Sequence, residues 1–110
     1  MYQITINIGT QFRGDGLPLT DNERAAGRRE VERMYLETRG GFTRYQVSGG
    51  WRDTVGQTHE ENGLQYEVVA DIDEEQAHKT GRMLALAAQS AFKQDTILLR
   101  VLPIVAEFVQ

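Results

Sequence analysis

Cysteine is absent from the 110-residue chain. Disulfides, thiolate nucleophiles and cysteine-ligated metal are therefore excluded. His59 and His78 are its only histidines, which excludes a multi-histidine metal centre. No loop carries the regular oxygen spacing that a hard cation needs, so neither a metal nor a cofactor is expected. No apolar run approaches the ~18 residues of a membrane span. The chain alternates polar and apolar from Tyr2 onward, unlike a signal peptide. A cytoplasmic location, that of the host cell if the gene is viral, is the expectation, with no membrane partner. Lysine is nearly missing: of twelve basic residues only Lys79 and Lys93 are lysine. The net charge of −4 lacks the basic footprint of a protein that binds a nucleic-acid polymer.

What is present reads as one domain. Tyr2, Ile4, Ile6 and Ile8 alternate with Gln3, Thr5 and Asn7, the period of a strand with one buried face. A loop follows over Gly9–Pro18, with Gly14, Asp15 and Gly16 as turn residues. Thr20 and Glu23 have capping-box spacing and open a helix. Its stripe is Val31, Met34, Tyr35 and Thr38, and Gly40–Gly41 ends it. Pairs Arg29–Glu32, Glu30–Arg33 and Arg33–Glu37 are spaced for its exposed side.

A long hairpin comes next. Thr43, Tyr45 and Val47 share one face of its first strand, and Arg44, Gln46 and Ser48 the other. Gly49–Gly50 suggests a bulge before Trp51. The segment from Arg52 to Gly63 reads as a polar tip, and Leu64, Tyr66, Val68, Ala70 and Ile72 as the buried face of the return strand. Asp73 then caps a second helix whose stripe is Ala77, Gly81, Leu84, Ala88 and Ala91. Small residues there let a helix lie close to a sheet. Thr96–Leu102 reads as a last strand, interrupted by Pro103.

The order strand–helix–strand–strand–helix–strand predicts an α+β, ferredoxin-like βαββαβ domain. Right-handed crossovers place both helices on one face of a four-stranded antiparallel sheet, with the first and third strands central. The core covers residues 1–102, and residues 103–110 form an extended apolar tail. Ile104, Val105, Phe108 and Val109 either fold back or pair with an edge strand of a partner. A homo-oligomer, by default a dimer, is expected.

Candidate binding residues fall into three groups. The sheet face left bare by the helices is expected to carry Thr5, Asn7, Arg44, Gln46, Gln65, Glu67 and Arg100, with Leu98, Val69 and Leu102 between them. Arg100 interrupts an otherwise apolar strand, and either pairs with Glu67 or contacts a ligand or partner. Arg13, Arg24 and Arg28 lie around a helix N-terminus, where an anion can bind. Gly9, Gly14 and Gly16 lack the Gly-Lys-Ser/Thr ending of a phosphate loop. Trp51, beside Arg52, either stacks on a planar ligand or packs over its own core edge. His59-Glu60-Glu61 is the only sequence resembling acid–base chemistry, and an exposed tip rarely tunes a pKa. No nucleophile–base set is present. Residues 41–73 hold two basic and six acidic side chains, so the whole net charge sits in the hairpin.

Gly50-Trp51-Arg52-Asp53, Gly56, Glu61 and the strand Leu64–Ala70 resemble an uncharacterised family of small bacterial and bacteriophage domains. Its layout is a strand ending at Gly, a Gly/Asp/Pro loop, a helix ending in Gly-Phe-Thr, and a Gly-x-Trp-x-Asp-x-x-Gly hairpin. Ile8-Gly9-Thr10, Asp15-Gly16-Leu17-Pro18, Gly41-Phe42-Thr43 and Gln94-Asp95-Thr96-Ile97-Leu98 fit that layout. The resemblance implies a ferredoxin-like domain of viral type with no catalytic residues to carry over. It suggests a non-enzymatic module that sequesters a small anionic ligand of nucleotide type, in an anti-defence role. The alternatives are a protein-interaction module using the acidic hairpin and apolar tail, or a dimeric enzyme enclosing a cavity.

Overall fold

The computed structural model describes all residues, 1–110. Its elements are β1 (Tyr2–Gly9), α1 (Asp21–Arg39), β2 (Thr43–Arg52), β3 (Thr58–Ala70), α2 (Glu74–Ala91) and β4 (Leu98–Pro103). They form one antiparallel sheet in the order β2-β3-β1-β4. This is the ferredoxin-like plan, with β1 and β3 central.

The core lies on one face. Ile4, Ile6 and Ile8 of β1 and Leu64 and Tyr66 of β3 form a cluster with Val31 and Tyr35 of α1 and Ala77, Leu84 and Ala88 of α2. Both helices therefore cover the same side. Close approach depends on glycine at two points. A Cβ at Gly81 would lie 2.8 Å from Leu99 Cδ1, and one at Gly27 would lie 2.9 Å from the Phe92 ring.

Local signals agree with these boundaries. Thr20 and Glu23 make the reciprocal capping box, each backbone N–H donating to the other's side chain at 3.1 Å. Gly40 closes α1 in the left-handed region at φ 76°, where glycine carries no Cβ penalty. The Asp73 side chain caps α2 by accepting from Gln76 N at 2.8 Å. On the α1 surface Arg33 reaches both Glu30 and Glu37, while Glu32 is met by Arg28 rather than Arg29.

The hairpin differs from the sequence reading in three ways. Pairing runs without interruption from Thr43↔Glu67 to Arg52↔Thr58, so Gly49–Gly50 forms no bulge. β3 begins at Thr58 and only residues 53–57 turn, so most of the expected polar tip is strand. The faces of β2 are also reversed. Arg44 and Gln46 stand opposite Tyr66 and Leu64 on the helix side, while Thr43, Tyr45 and Val47 are on the open face. Arg44 sits on the helix side because its guanidinium reaches Glu32 of α1 at 2.7 Å. Phe42 two residues earlier packs edge-on against Tyr35 and Tyr66, which locks that phase.

The last strand takes in Pro103, and Ile104 adds one more bond, donating its N–H to Met1 O at 3.0 Å. Beyond it Val105, Phe108 and Val109 are exposed. No helix is long and apolar enough to cross a membrane.

Candidate ligand groove on the open sheet face

Register assigns the open face row by row. Thr43, Glu67, Thr5 and Arg100 form one row across the four strands, and Tyr45, Gln65, Asn7 and Leu98 the next. Val47, Gly63 and Gly9 follow, and then Gly49 beside Glu61 and Trp51 beside His59. Gly9, the last residue of β1, and Gly63 of β3 face each other, and the Glu61 carboxylate lies over Gly9. A Cβ on Gly63 would lie 2.5 Å from Ile8 O, and one on Gly9 would collide with the Glu61 carboxylate.

The missing side chains leave a groove of about 440 Å³, lined by Asn7, Arg100 and Gln65 toward one end and Trp51 and Glu61 toward the other. Its size falls in the range of small-molecule sites, ~300–1,000 Å³. Beyond the sheet end lies a cleft of about 750 Å³. The β1–α1 loop (Phe12, Arg13), the hairpin (Trp51, His59, Glu61) and the α2–β4 loop (Asp95) enclose it. Trp51 and Glu61 line both spaces.

Trp51 does not pack over the core. Its indole lies on the His59 imidazole, centroids 4.4 Å apart and 17° from parallel, yet remains 55% exposed. His59 is fixed from its own end of the hairpin: Nε2 lies 2.8 Å from Asp53 Oδ2. The other oxygen of Asp53 accepts from the backbone N–H groups of Val55 and Gln57. The hydrogen bond with His59, followed by that from Gln57 N, holds the Asp53 carboxyl below its usual range. The Asp53 position of the Gly-x-Trp-x-Asp-x-x-Gly segment thus closes the turn and orients the ring beneath the indole.

The candidate cations are dispersed. Arg13 pairs with Asp15, Arg24 with Asp21, and both Arg28 and Arg44 with Glu32. Arg24 and Arg28 border a shallow depression of about 300 Å³ on the helix side, away from the groove. Glu32 also accepts from Tyr66 OH at 2.6 Å. Burial raises the Glu32 pKa, but the bonds from Tyr66 and Arg44 outweigh it and leave it below the usual value. Arg52 is exposed at the end of β2 and makes no ion pair. Of the nine candidates, the structure brings Asn7, Arg100 and Trp51 into one groove, with Glu67 in the same row as Arg100. Arg13 lines the adjoining cleft.

Sequence reasoning passed over Gly63 as a site residue and weighed Gly9 only as part of a phosphate-loop pattern. The glycines matter only because they are opposite one another, which is a matter of register and not of composition. Glu61 is at the junction of both spaces with its carboxylate committed to the loop: Oε1 accepts from Gln11 N at 3.2 Å and from Phe12 N at 3.1 Å.

No protein-family model matches the chain, and no curated protein matches its sequence. Solved structures do share its shape. A phage SAM lyase in complex with S-methyl-5′-thioadenosine superposes with a TM-score of 0.67 at 15% identity, over 92% of this chain and 79% of that one. A phage SAM lyase in the apo state gives 0.66 at 17% identity, over 99% and 92%. The divalent cation tolerance protein CutA from Archaeoglobus fulgidus gives 0.58 at 9% identity, over 98% and 88%. At these identities the likeness is one of fold, and it places the chain among ferredoxin-like domains.

Proposed function

We propose that this chain is a binding module that sequesters a small nucleoside-type ligand in the groove between Trp51 and Arg100. The observation that carries the reading is the groove itself. One exposed indole and one unpaired guanidinium line the same space, with Gly9, Gly63 and the Glu61 carboxylate between them. A base stacks on the indole, a contact worth ~1–3 kcal/mol, and Arg100 receives a single anionic group. A polyphosphate fits less well, because Arg13, Arg24, Arg28 and Arg44 are already engaged by carboxylates, Arg28 and Arg44 sharing Glu32. The phage SAM lyase of the same fold holds a nucleoside thioether, S-methyl-5′-thioadenosine, which supports this ligand class. The hairpin resemblance to bacteriophage domains supports a phage origin and an anti-defence role by ligand removal.

Melting temperature with S-adenosylmethionine, S-methyl-5′-thioadenosine, ATP and cyclic nucleotides tests this. A ligand that binds only the folded state raises it. The expected result is a shift with the nucleoside thioethers that Trp51→Ala abolishes. No shift at millimolar concentration overturns the reading. Chromatography of the same mixtures separates binding from turnover: a cleavage product of S-adenosylmethionine would replace sequestration by catalysis.

Self-association is part of this proposal. Leu98 and Leu102 are about half exposed on the open face at the β4 edge, and Val105, Phe108 and Val109 project beyond it. A second copy is the partner we assign to this apolar end. Light scattering of the full chain and of one truncated after Ile104 checks it; a full-length monomer at micromolar concentration rejects it.

A further inference from the structure

The groove ends at Trp51 and Glu61, and the loop-enclosed cleft of about 750 Å³ begins there. One face of the indole is covered by His59. A base on the other face turns its edge toward the cleft, so the lining of the cleft decides which base is accepted. That lining is lopsided in its hydrogen-bonding groups. Its N–H donors are committed within the fold. Gln94 Nε2 donates to Phe12 O at 2.7 Å and to Phe92 O at 2.9 Å. The Arg13 guanidinium is turned to Asp15 at 2.6 Å, and Phe12 N–H goes to Glu61. The Thr96 hydroxyl can serve either way. Acceptors remain: Glu60 and Asp95 line the cleft, and neither takes part in any ion pair.

Of these two carboxylates, Asp95 is the one held in place. Its backbone carbonyl accepts from Gln89 Nε2 at 2.7 Å. Its side chain fills the space that a Cβ at Gly14 would need. Gly14 N–H donates to Lys93 O at 2.8 Å, which ties the β1–α1 loop to the loop that carries Asp95. A base that meets this acceptor must bring donors. Adenine and cytosine present an amine beside a ring acceptor, and uracil presents one N–H between two carbonyls. Guanine alone presents two adjacent donors, a ring N–H and its exocyclic amine, which match the two oxygens of one carboxylate. We propose that the ligand is a guanine nucleoside with one anionic group: the base on Trp51, its two donors on the Asp95 carboxylate, and the anion at Arg100. This rests on the groove reading above and adds which base the groove takes. Adenine keeps the stack and loses the edge contact, so adenine nucleosides bind more weakly at the same place.

Purine nucleoside monophosphates isolate the edge, because all share the stack and the phosphate. Guanosine monophosphate has both donors. Inosine monophosphate lacks the exocyclic amine, xanthosine monophosphate has an oxygen in its place, and adenosine monophosphate has neither pattern. Calorimetry on the full chain measures all four, in the wild type and in Asp95→Asn. The wild type should bind guanosine monophosphate about tenfold or more tightly than the inosine and adenosine forms, as one bidentate base contact discriminates. Asp95→Asn should remove that preference and leave adenosine monophosphate affinity unchanged. It should also gain affinity for xanthosine monophosphate, because the new amide offers a donor to the oxygen that replaces the amine. Equal wild-type affinity for the guanosine and adenosine forms overturns the base assignment while leaving the groove standing. An Asp95→Asn loss that is the same for all four ligands also overturns it, since a merely structural aspartate behaves that way. Binding of the nucleoside thioethers but of none of these four overturns this inference alone. Binding of neither set overturns the groove itself.

Discussion

The Glu61 carboxylate occupies the space that a side chain at Gly9 would need: a Cβ there would lie 2.7 Å from Oε1. The same oxygen receives the N–H groups of Gln11 and Phe12. One acidic side chain on β3 thus tethers the loop that leaves β1, and glycine at position 9 makes room for it.

Removing that tether should loosen the loop before it unfolds the domain. Glu61→Ala leaves two N–H groups unpaired, and hydrogen bonds of this kind contribute about 1 kcal/mol. Gly9→Ala should act in the same direction by displacing the carboxylate. Amide hydrogen exchange at Gln11 and Phe12 is the measurement: faster exchange in both variants is expected, and unchanged protection would count against the tether.

At the α2–sheet contact the expected effect is larger. Gly81 sits against Leu99 and Ile4, whose methyl groups would lie 2.8 and 3.3 Å from an added Cβ. Gly81→Val must push the helix off the sheet or force poor rotamers, a cost of about 1–3 kcal/mol. Urea unfolding should show a lower midpoint. Gly16→Ala serves as the contrast, since nothing stands within 4 Å of its Cβ. Its positive φ of 84° makes it a strain effect without a packing term.

Acid sensitivity should centre on Glu32. Its folded pKa is depressed from the usual 4.5, so its contribution is complete above that value. It is lost as pH falls through the lower, folded value. Glu23 behaves alike over a window from 4.5 down to about 2, held there by Lys93 and the Thr20 cap. A carboxyl titration by NMR should give a Glu32 midpoint below 4.5 that rises in Tyr66→Phe, which lacks the phenolic donor. A midpoint unmoved by that substitution would remove Tyr66 from the account. In Glu32→Gln the acid limb of the stability curve should flatten.

Trp51 should separate stability from binding. Exposed positions away from special contacts change stability by ~0.5 kcal/mol or less, and the indole touches His59 rather than the core. Trp51→Ala should therefore leave the unliganded melting curve almost unchanged while lowering nucleoside affinity by about 10–100-fold, the equivalent of one base stack. A large fall in stability together with unaltered affinity would show that the ring is a structural prop.

Sequence by itself determined the element order, the caps and the buried faces of β1, β3 and α2. Each is a local signal with a definite sign. Thr20 and Glu23 are three residues apart, Ile4, Ile6 and Ile8 alternate with polar residues, and Ala77, Gly81, Leu84 and Ala88 recur at helical spacing. Only the tertiary structure decided which side of β2 faces the helices. β2 is an edge strand with polar residues on both sides, so its period of two carries no sign. Phe42 and the Arg44–Glu32 contact set it from outside the strand. The same holds for the candidate site. That Arg100 interrupts an apolar strand is visible in the chain. That it shares a row with Glu67 and Thr5, above a floor made by Gly9 opposite Gly63, follows from pairing between residues more than fifty positions apart. The arginine surplus shows the limit from the other direction. Composition counts ten guanidinium groups, but which of them meet a carboxylate depends on contacts made across the folded surface. Four of the six candidate arginines meet a carboxylate in this way, Arg28 and Arg44 sharing Glu32, and Arg52 and Arg100 are left.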